Sequence, residues 1–182
     1  MEDKVEIEWQ PFELNPDMPT EGEELGVHMA RKYGSTPESS AKFRTEMATH
    51  GKAVAFDFIY FDGMKIINTR EAHILLEYAK TQGKQTALNL RLFSAFFTEK
   101  KNISDRAILA QELETVGLNV QEAMAKLENN QAIQKVIEQE SYWQKVGVSS
   151  VPTVVFNGKS ALAGAQPIET FKQVLTTELE NL

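Results

Sequence analysis

A proline stands directly ahead of a short β-branched run, which passes through Asn157-Gly158 into a second short run and a closing amphipathic segment. This order limits the possible folds more than any other feature of the chain. Proline has no N–H to give a sheet ladder, so Pro152 belongs at the first position of a strand. Thr153 to Phe156 is β-branched and aromatic, and Asn-Gly is a strong hairpin signal because both residues tolerate positive φ. Ala161 to Ala163 supplies the return strand. Pro167 then opens a helix through Leu179, with Phe171, Val174, Leu175 and Leu179 on one face. Spacing alone favours an ordinary trans proline at the strand start. A cis Val151-Pro152 bond, at a cost of about 0.5–1 kcal/mol, is the other option.

Upstream, the pattern is almost wholly helical. Val5 to Phe12 alternates, with Val5, Ile7 and Trp9 apolar and Glu6, Glu8 and Gln10 polar, which predicts a half-buried strand with Trp9 in the core. Glu23 to Tyr33 reads as a short amphipathic helix ended by Gly34, and Glu2, Glu21, Glu23 and Glu24 read as solvated acidic surface. Ser35-Thr36-Pro37-Glu38 offers a cap, a first-turn proline and an early acid for a helix ending near Gly51. Phe56 to Phe61 is a short strand or an extended loop. Asn68-Thr69 opens a helix striped by Ala72, Leu75, Leu76 and Ala79. Lys84 to Phe97 reads as one helix whose Phe93, Phe96 and Phe97 read as packing within a helical block or, in part, as the lining of a hydrophobic groove. Ser104-Asp105, Asn119 and Gln131 begin three more helices, the last ending at Gly147.

Composition narrows the function. With 182 residues, 42% of them hydrophobic, the chain can build one domain, or a small domain carrying an inserted subdomain. A net charge of −7 without a basic stripe argues against nucleic acid and anionic membranes as partners. No apolar run reaches the length of a membrane span. Met1-Glu2-Asp3-Lys4 lacks the pattern of a signal peptide, so the expected location is cytoplasmic. The three histidines, His28, His50 and His73, lack ligand spacing, so no metal and no cofactor is expected. Most telling, these residues include no cysteine, which excludes disulfides, thiolate metal sites and thiol catalysis by this chain alone.

Four segments together resemble the DsbA-like thioredoxin family, and in particular its FrnE-type branch. They are Trp9-Gln10-Pro11-Phe12-Glu13-Leu14-Asn15-Pro16, Asn68-Thr69-Arg70-Glu71-Ala72-His73, Val151-Pro152 with Asn157-Gly158-Lys159, and Gly164-Ala165-Gln166-Pro167. The resemblance implies an α/β fold, thioredoxin-like with a large all-helical insertion. Residues 1–22 and 147–182 would form a partial thioredoxin-like domain around an insertion at 23–146. Family members begin with a strand and a helix whose N-terminus carries a Cys-x-x-Cys, where the helix dipole favours the thiolate. The resemblance implies that this N-terminal β-α portion is missing here, leaving a sheet edge that a second copy could fill to give a homodimer.

By resemblance, the function is thiol–disulfide exchange on a thiol- or disulfide-containing protein or peptide, with this chain inactive for want of its Cys-x-x-Cys and offering no catalytic residue. Val151 and Pro152 would form a cis-proline loop that meets the substrate, and Asn68 and His73 would face the same cleft. The residues alone also allow Asn68 as a plain helix cap and His73 as a structural histidine. The alternative on the same scaffold is a glutathione-dependent enzyme, similar to the kappa-class transferases and hydroxychromene carboxylate isomerases, with glutathione as its partner.

Overall fold

The computed structural model describes residues 5–180, so the Met1–Lys4 segment considered above lies outside them. The chain divides into two compact units, residues 1–138 and 139–182. The first contains β1 (Glu23–Glu24), α1 (Leu25–Tyr33), α2 (Pro37–Ala53), β2 (Lys65–Ile66), α3 (Arg70–Thr81), α4 (Gln85–Phe93), α5 (Arg106–Thr115) and α6 (Val120–Ala125). Helix α7 (Asn130–Lys145) runs through the boundary, and β3 (Thr153–Phe156), β4 (Ser160–Ala163) and α8 (Ile168–Glu180) complete the second unit.

Helix α3 is the hub of the first unit. Ala72, Leu75, Leu76 and Ala79 are buried as their spacing predicts, but so are Ile74, Glu77 and Tyr78, so the helix is covered on nearly every side. Leu88 and Leu92 of α4, Leu109 and Leu113 of α5, Ala123 of α6 and Val136 of α7 join it in one core. A buried carboxylate inside such a core needs charged partners. Glu112 takes Arg91 Nε and, at 2.8 Å, Lys101 Nζ, and the same two cations hold Glu99. Hydrogen bonding to Arg91 first, and to Lys101, holds the Glu99 carboxyl down at about 2.

Local chemistry sets the helix ends. Thr36 Oγ1 accepts from the Ser39 amide at 3.2 Å while Ser39 Oγ accepts from the Thr36 amide at 2.9 Å, a reciprocal cap at the start of α2. Asp105 and Asn119 cap α5 and α6 through their side chains. Gly34, at φ 64°, ends α1. Helix α2 passes its expected end and reaches Ala53. Gly51 instead marks a close approach: a Cβ there would lie 2.4 Å from the Phe56 carbonyl oxygen. Phe56 to Phe61 takes the extended-loop form, tied by Ile59 N–H to Phe97 O at 2.9 Å and by Thr98 Oγ1 to Asp57 O at 2.8 Å.

Three expectations are corrected. Lys84 to Phe97 is not one regular helix: α4 ends at Phe93 and Ser94–Thr98 forms a π turn that places Phe97 edge-on to Phe58, with ring centroids 5.1 Å apart. Glu23 is not a free surface acid. It starts the short β1–β2 ladder, opposite Ile66, and its carboxylate binds His28 Nδ1 and Arg31. Val5 to Phe12 is not a strand. Its alternation is real, but burial of one face needs a neighbouring strand, and none runs beside it among the described residues. Ile7 therefore stays 63% exposed, and side chains hold the segment instead. The Gln85 amide accepts from Trp9 N–H at 3.0 Å and donates to Trp9 O at 2.8 Å, while the Trp9 indole bonds Thr86 Oγ1 and meets Phe93 edge-on. Trp9 is thus half-buried rather than a core residue.

In the second unit, β3 and β4 pair antiparallel from Thr153↔Ala163 to Phe156↔Ser160. The connection is three residues long. Asn157 at φ 51° and Gly158 at φ 68° make the turn, closed by Lys159 N–H to Phe156 O, and Lys159 is the extra residue. Glu178 fastens α8 to this turn by accepting from Asn157 Nδ2 at 3.1 Å and from Ser160 Oγ at 2.7 Å.

Truncating Leu75, which is fully buried, to alanine should cost about 2–5 kcal/mol in urea unfolding. Leu90→Ala on α4, at a side chain 54% exposed, should cost under about 1 kcal/mol. Equal losses would contradict the placement of the core.

Candidate functional site

Four residues were singled out by the sequence, and they fall as two pairs in the two units. Val151 and Pro152 precede β3 in the second unit. Their peptide bond is cis, the form that the resemblance implies. The loop is pinned on either side: Thr153 Oγ1 donates to Ser150 O at 2.7 Å, and Gly164 N–H donates to Pro152 O at 2.8 Å, extending the hairpin by one bond. Val151 is 44% exposed, and its own N–H and C=O have no hydrogen-bond partner among the described residues. A free, exposed peptide unit beside a paired one is what strand addition by an extended peptide requires.

Asn68 and His73 lie in the first unit, at the entrance to α3. Asn68 spends both ends of its amide on structure: Oδ1 accepts from Arg70 N–H at 3.0 Å, and Nδ2 donates to Met18 O at 3.1 Å. It orders the helix entrance as an Asx turn, while Thr69, the residue at the cap position, makes no capping bond with its side chain. His73, one turn inside α3, is hydrogen-bonded to the backbone of Phe12. Burial drives its pKa down to about 4, against the upward pull of the Phe12 bond and of the Glu77 carboxylate. His73 is therefore neutral at pH 7 and offers a fixed ring rather than a positive charge.

Two residues that sequence reasoning did not select complete this region. Arg70 Nε binds the buried Glu13 carboxylate at 2.9 Å, and Arg70 Nη2 donates to Pro16 O at 3.2 Å. Glu13 and Arg70 belong to two of the segments that carry the resemblance, and the ion pair joins them. Their presence in both motifs was the available signal, but 57 residues separate them in the chain and no local pattern reports such a contact. Among the described residues no group of three or more His, Cys, Asp or Glu is placed to hold a metal ion. No described helix is long and apolar enough to cross a membrane.

The His73 shift has a testable sign. The unfolded chain titrates this histidine near 6.5 and the folded chain near 4, so between those values the unfolded state binds more protons. Its contribution, up to about 3 kcal/mol, is complete above pH 6.5 and is lost as pH falls through 4. Ring-nitrogen NMR should show His73 neutral at pH 5.5, and His73→Gln should flatten the stability profile between pH 6.5 and 4. A His73 midpoint near 6.5 would contradict the burial argument.

Comparison with known proteins places this geometry. The DSBA-like thioredoxin domain profile matches residues 1–176. The uncharacterised protein YwbO of Bacillus subtilis (strain 168) is 26% identical over 176 residues, spanning 96% of this chain and 82% of YwbO. The crystal structure of a probable DsbA oxidoreductase from Streptomyces coelicolor superposes with a TM-score of 0.88 at 24% identity, over 95% of this chain and 75% of that one. A candidate protein disulfide isomerase from Nitrosomonas europaea gives a TM-score of 0.67 at 16% identity, over 85% of this chain and 88% of that one. The two structures share the α/β, mostly helical fold, and with the profile matched from residue 1 to 176 the chain belongs to the DSBA-like thioredoxin domain family.

Proposed function

We propose that this chain is the substrate-docking scaffold of a thiol–disulfide oxidoreductase of the FrnE-type branch, acting on disulfide-bearing proteins or peptides in the cytoplasm. The observation that carries the reading is the exposed Val151 peptide unit, open on both its N–H and C=O, beside a Pro152 carbonyl tied back to Gly164. An extended substrate strand pairs with Val151 and lies across Pro152. Asn68 and His73 contribute an ordered helix entrance and a neutral ring to substrate recognition, and the domain division proposed is a thioredoxin-like part of 1–22 and 147–182 with a helical insertion at 23–146.

Thiol exchange proceeds by attack of a thiolate on a disulfide sulfur, expelling the other sulfur as a thiolate and leaving a mixed disulfide that a second thiol resolves. The 182 residues contain no cysteine, so neither thiol is among them and the chain alone performs no exchange. The two solved structures that resemble this chain are described as a DsbA oxidoreductase and a protein disulfide isomerase, which favours thiol exchange over a glutathione-dependent reaction.

The test is insulin reduction by dithiothreitol, followed as turbidity. The 182-residue chain should leave the rate unchanged. The same chain extended at its N-terminus by a strand and a Cys-x-x-Cys helix start should raise it. Activity in the cysteine-free chain, or none in a folded extended protein, would contradict the proposal.

A further inference from the structure

The first unit carries a groove of about 540 Å³ between α1, the start of α2 and the Tyr60–Gly63 loop. Its apolar lining includes Leu25 and Val27 of α1 and Phe61 of the loop. Its polar lining includes Ser40 and Arg44 of α2, one turn apart on the same face, and Tyr60. Two of these polar groups are unspent. Arg44 makes no hydrogen bond or ion pair among the described residues, although its charge reaches Tyr60 and Glu24. Ser40 is only 6% exposed and lines the groove, yet its hydroxyl has no hydrogen-bond partner among the described residues. A hydroxyl that solvent reaches in the groove and that no protein group engages is free to bond an occupant.

The acidic groups nearby do not supply that partner. The Glu24 carboxylate is committed to the start of α1, accepting from Val27 N–H at 2.8 Å and bonded to the Gly26 backbone. Asp62 lies in the exposed turn at the groove's rim. Tyr60 is half-buried, and burial raises its pKa, so the phenol stays a protonated donor at neutral pH.

We propose that this groove binds a small organic carboxylate, its carboxyl group on Arg44 and the Ser40 and Tyr60 hydroxyls, its apolar body against Leu25, Val27 and Phe61. A guanidinium and two hydroxyl donors lining one groove match a carboxylate's acceptors, and the apolar part of the lining matches a compact hydrocarbon or ring. The proposal does not depend on the thiol-exchange reading.

The probe is 4-phenylbutanoate, titrated at millimolar concentrations into the ¹⁵N-labelled chain, with the neutral 4-phenylbutanamide as control. Saturable shift changes should cluster on the amides of residues 25–30, 35–44 and 60–63. The neutral amide and Arg44→Gln should each bind about tenfold more weakly, the loss expected for one charge-assisted contact, while Arg44→Lys should retain part of the affinity. Ser40→Ala should weaken binding by a smaller factor. No clustered shifts in the native chain, clustering elsewhere, or equal affinity for carboxylate and amide would overturn the proposal. The last comparison uses only the unaltered protein and so holds even if a variant misfolds.

Discussion

Burial of α3 on nearly every face is the constraint on which the first unit depends. A helix whose Ala72, Ile74, Leu75, Leu76, Tyr78 and Ala79 are all removed from water has no side left for solvent, so each neighbouring segment must bring something to it. Helices α4 to α7 bring leucines, valine and alanine. Lys135 of α7 brings a charge for the buried Glu77, at 2.7 Å. The extended segment ahead of α1 brings Glu13 to Arg70 and the Phe12 backbone to His73. Because the hub is a helix rather than a sheet, that segment is held by side chains and not by a ladder.

The same arrangement accounts for the character of the helix entrance. Asn68, Arg70 and His73 follow one another around the first turns of α3, and each is committed to the chain from Phe12 to Met18. The result is a preorganised, neutral surface. In the second unit the Val151-Pro152 loop is equally fixed, pinned by Thr153 and Gly164 while the Val151 peptide unit stays open.

What the sequence made legible was what short-range chemistry decides. Thr36, Asp105 and Asn119 could be read as caps because a cap is a bond between residues two or three apart. The hairpin could be read because Asn157 and Gly158 accept positive φ where most residues resist it. The stripe on α3 was visible by its period. The remainder required partners distant in the chain. Val5 to Phe12 has the alternation of a strand, but alternation says only which side chains share a face, not whether a second strand is present to cover it. Gln85, which holds Trp9 from 76 residues away, leaves no local trace, and neither does the Glu13–Arg70 pair. Asn68 and Val151 were legible as positions through their motifs. Their roles, one amide spent on structure and one peptide unit left open, came only from the hydrogen bonds.

Native-state hydrogen exchange tests the central claim most directly, that α3 is the hub and that side chains pin the chain ahead of α1 to it. Amides of Leu75 to Ala79 should exchange only through global unfolding, Trp9 N–H should be protected by its bond to Gln85, and Glu6 to Glu8 should exchange freely. Alternating protection through Val5, Ile7 and Trp9, the mark of a paired strand, or rapid exchange within α3, would contradict it.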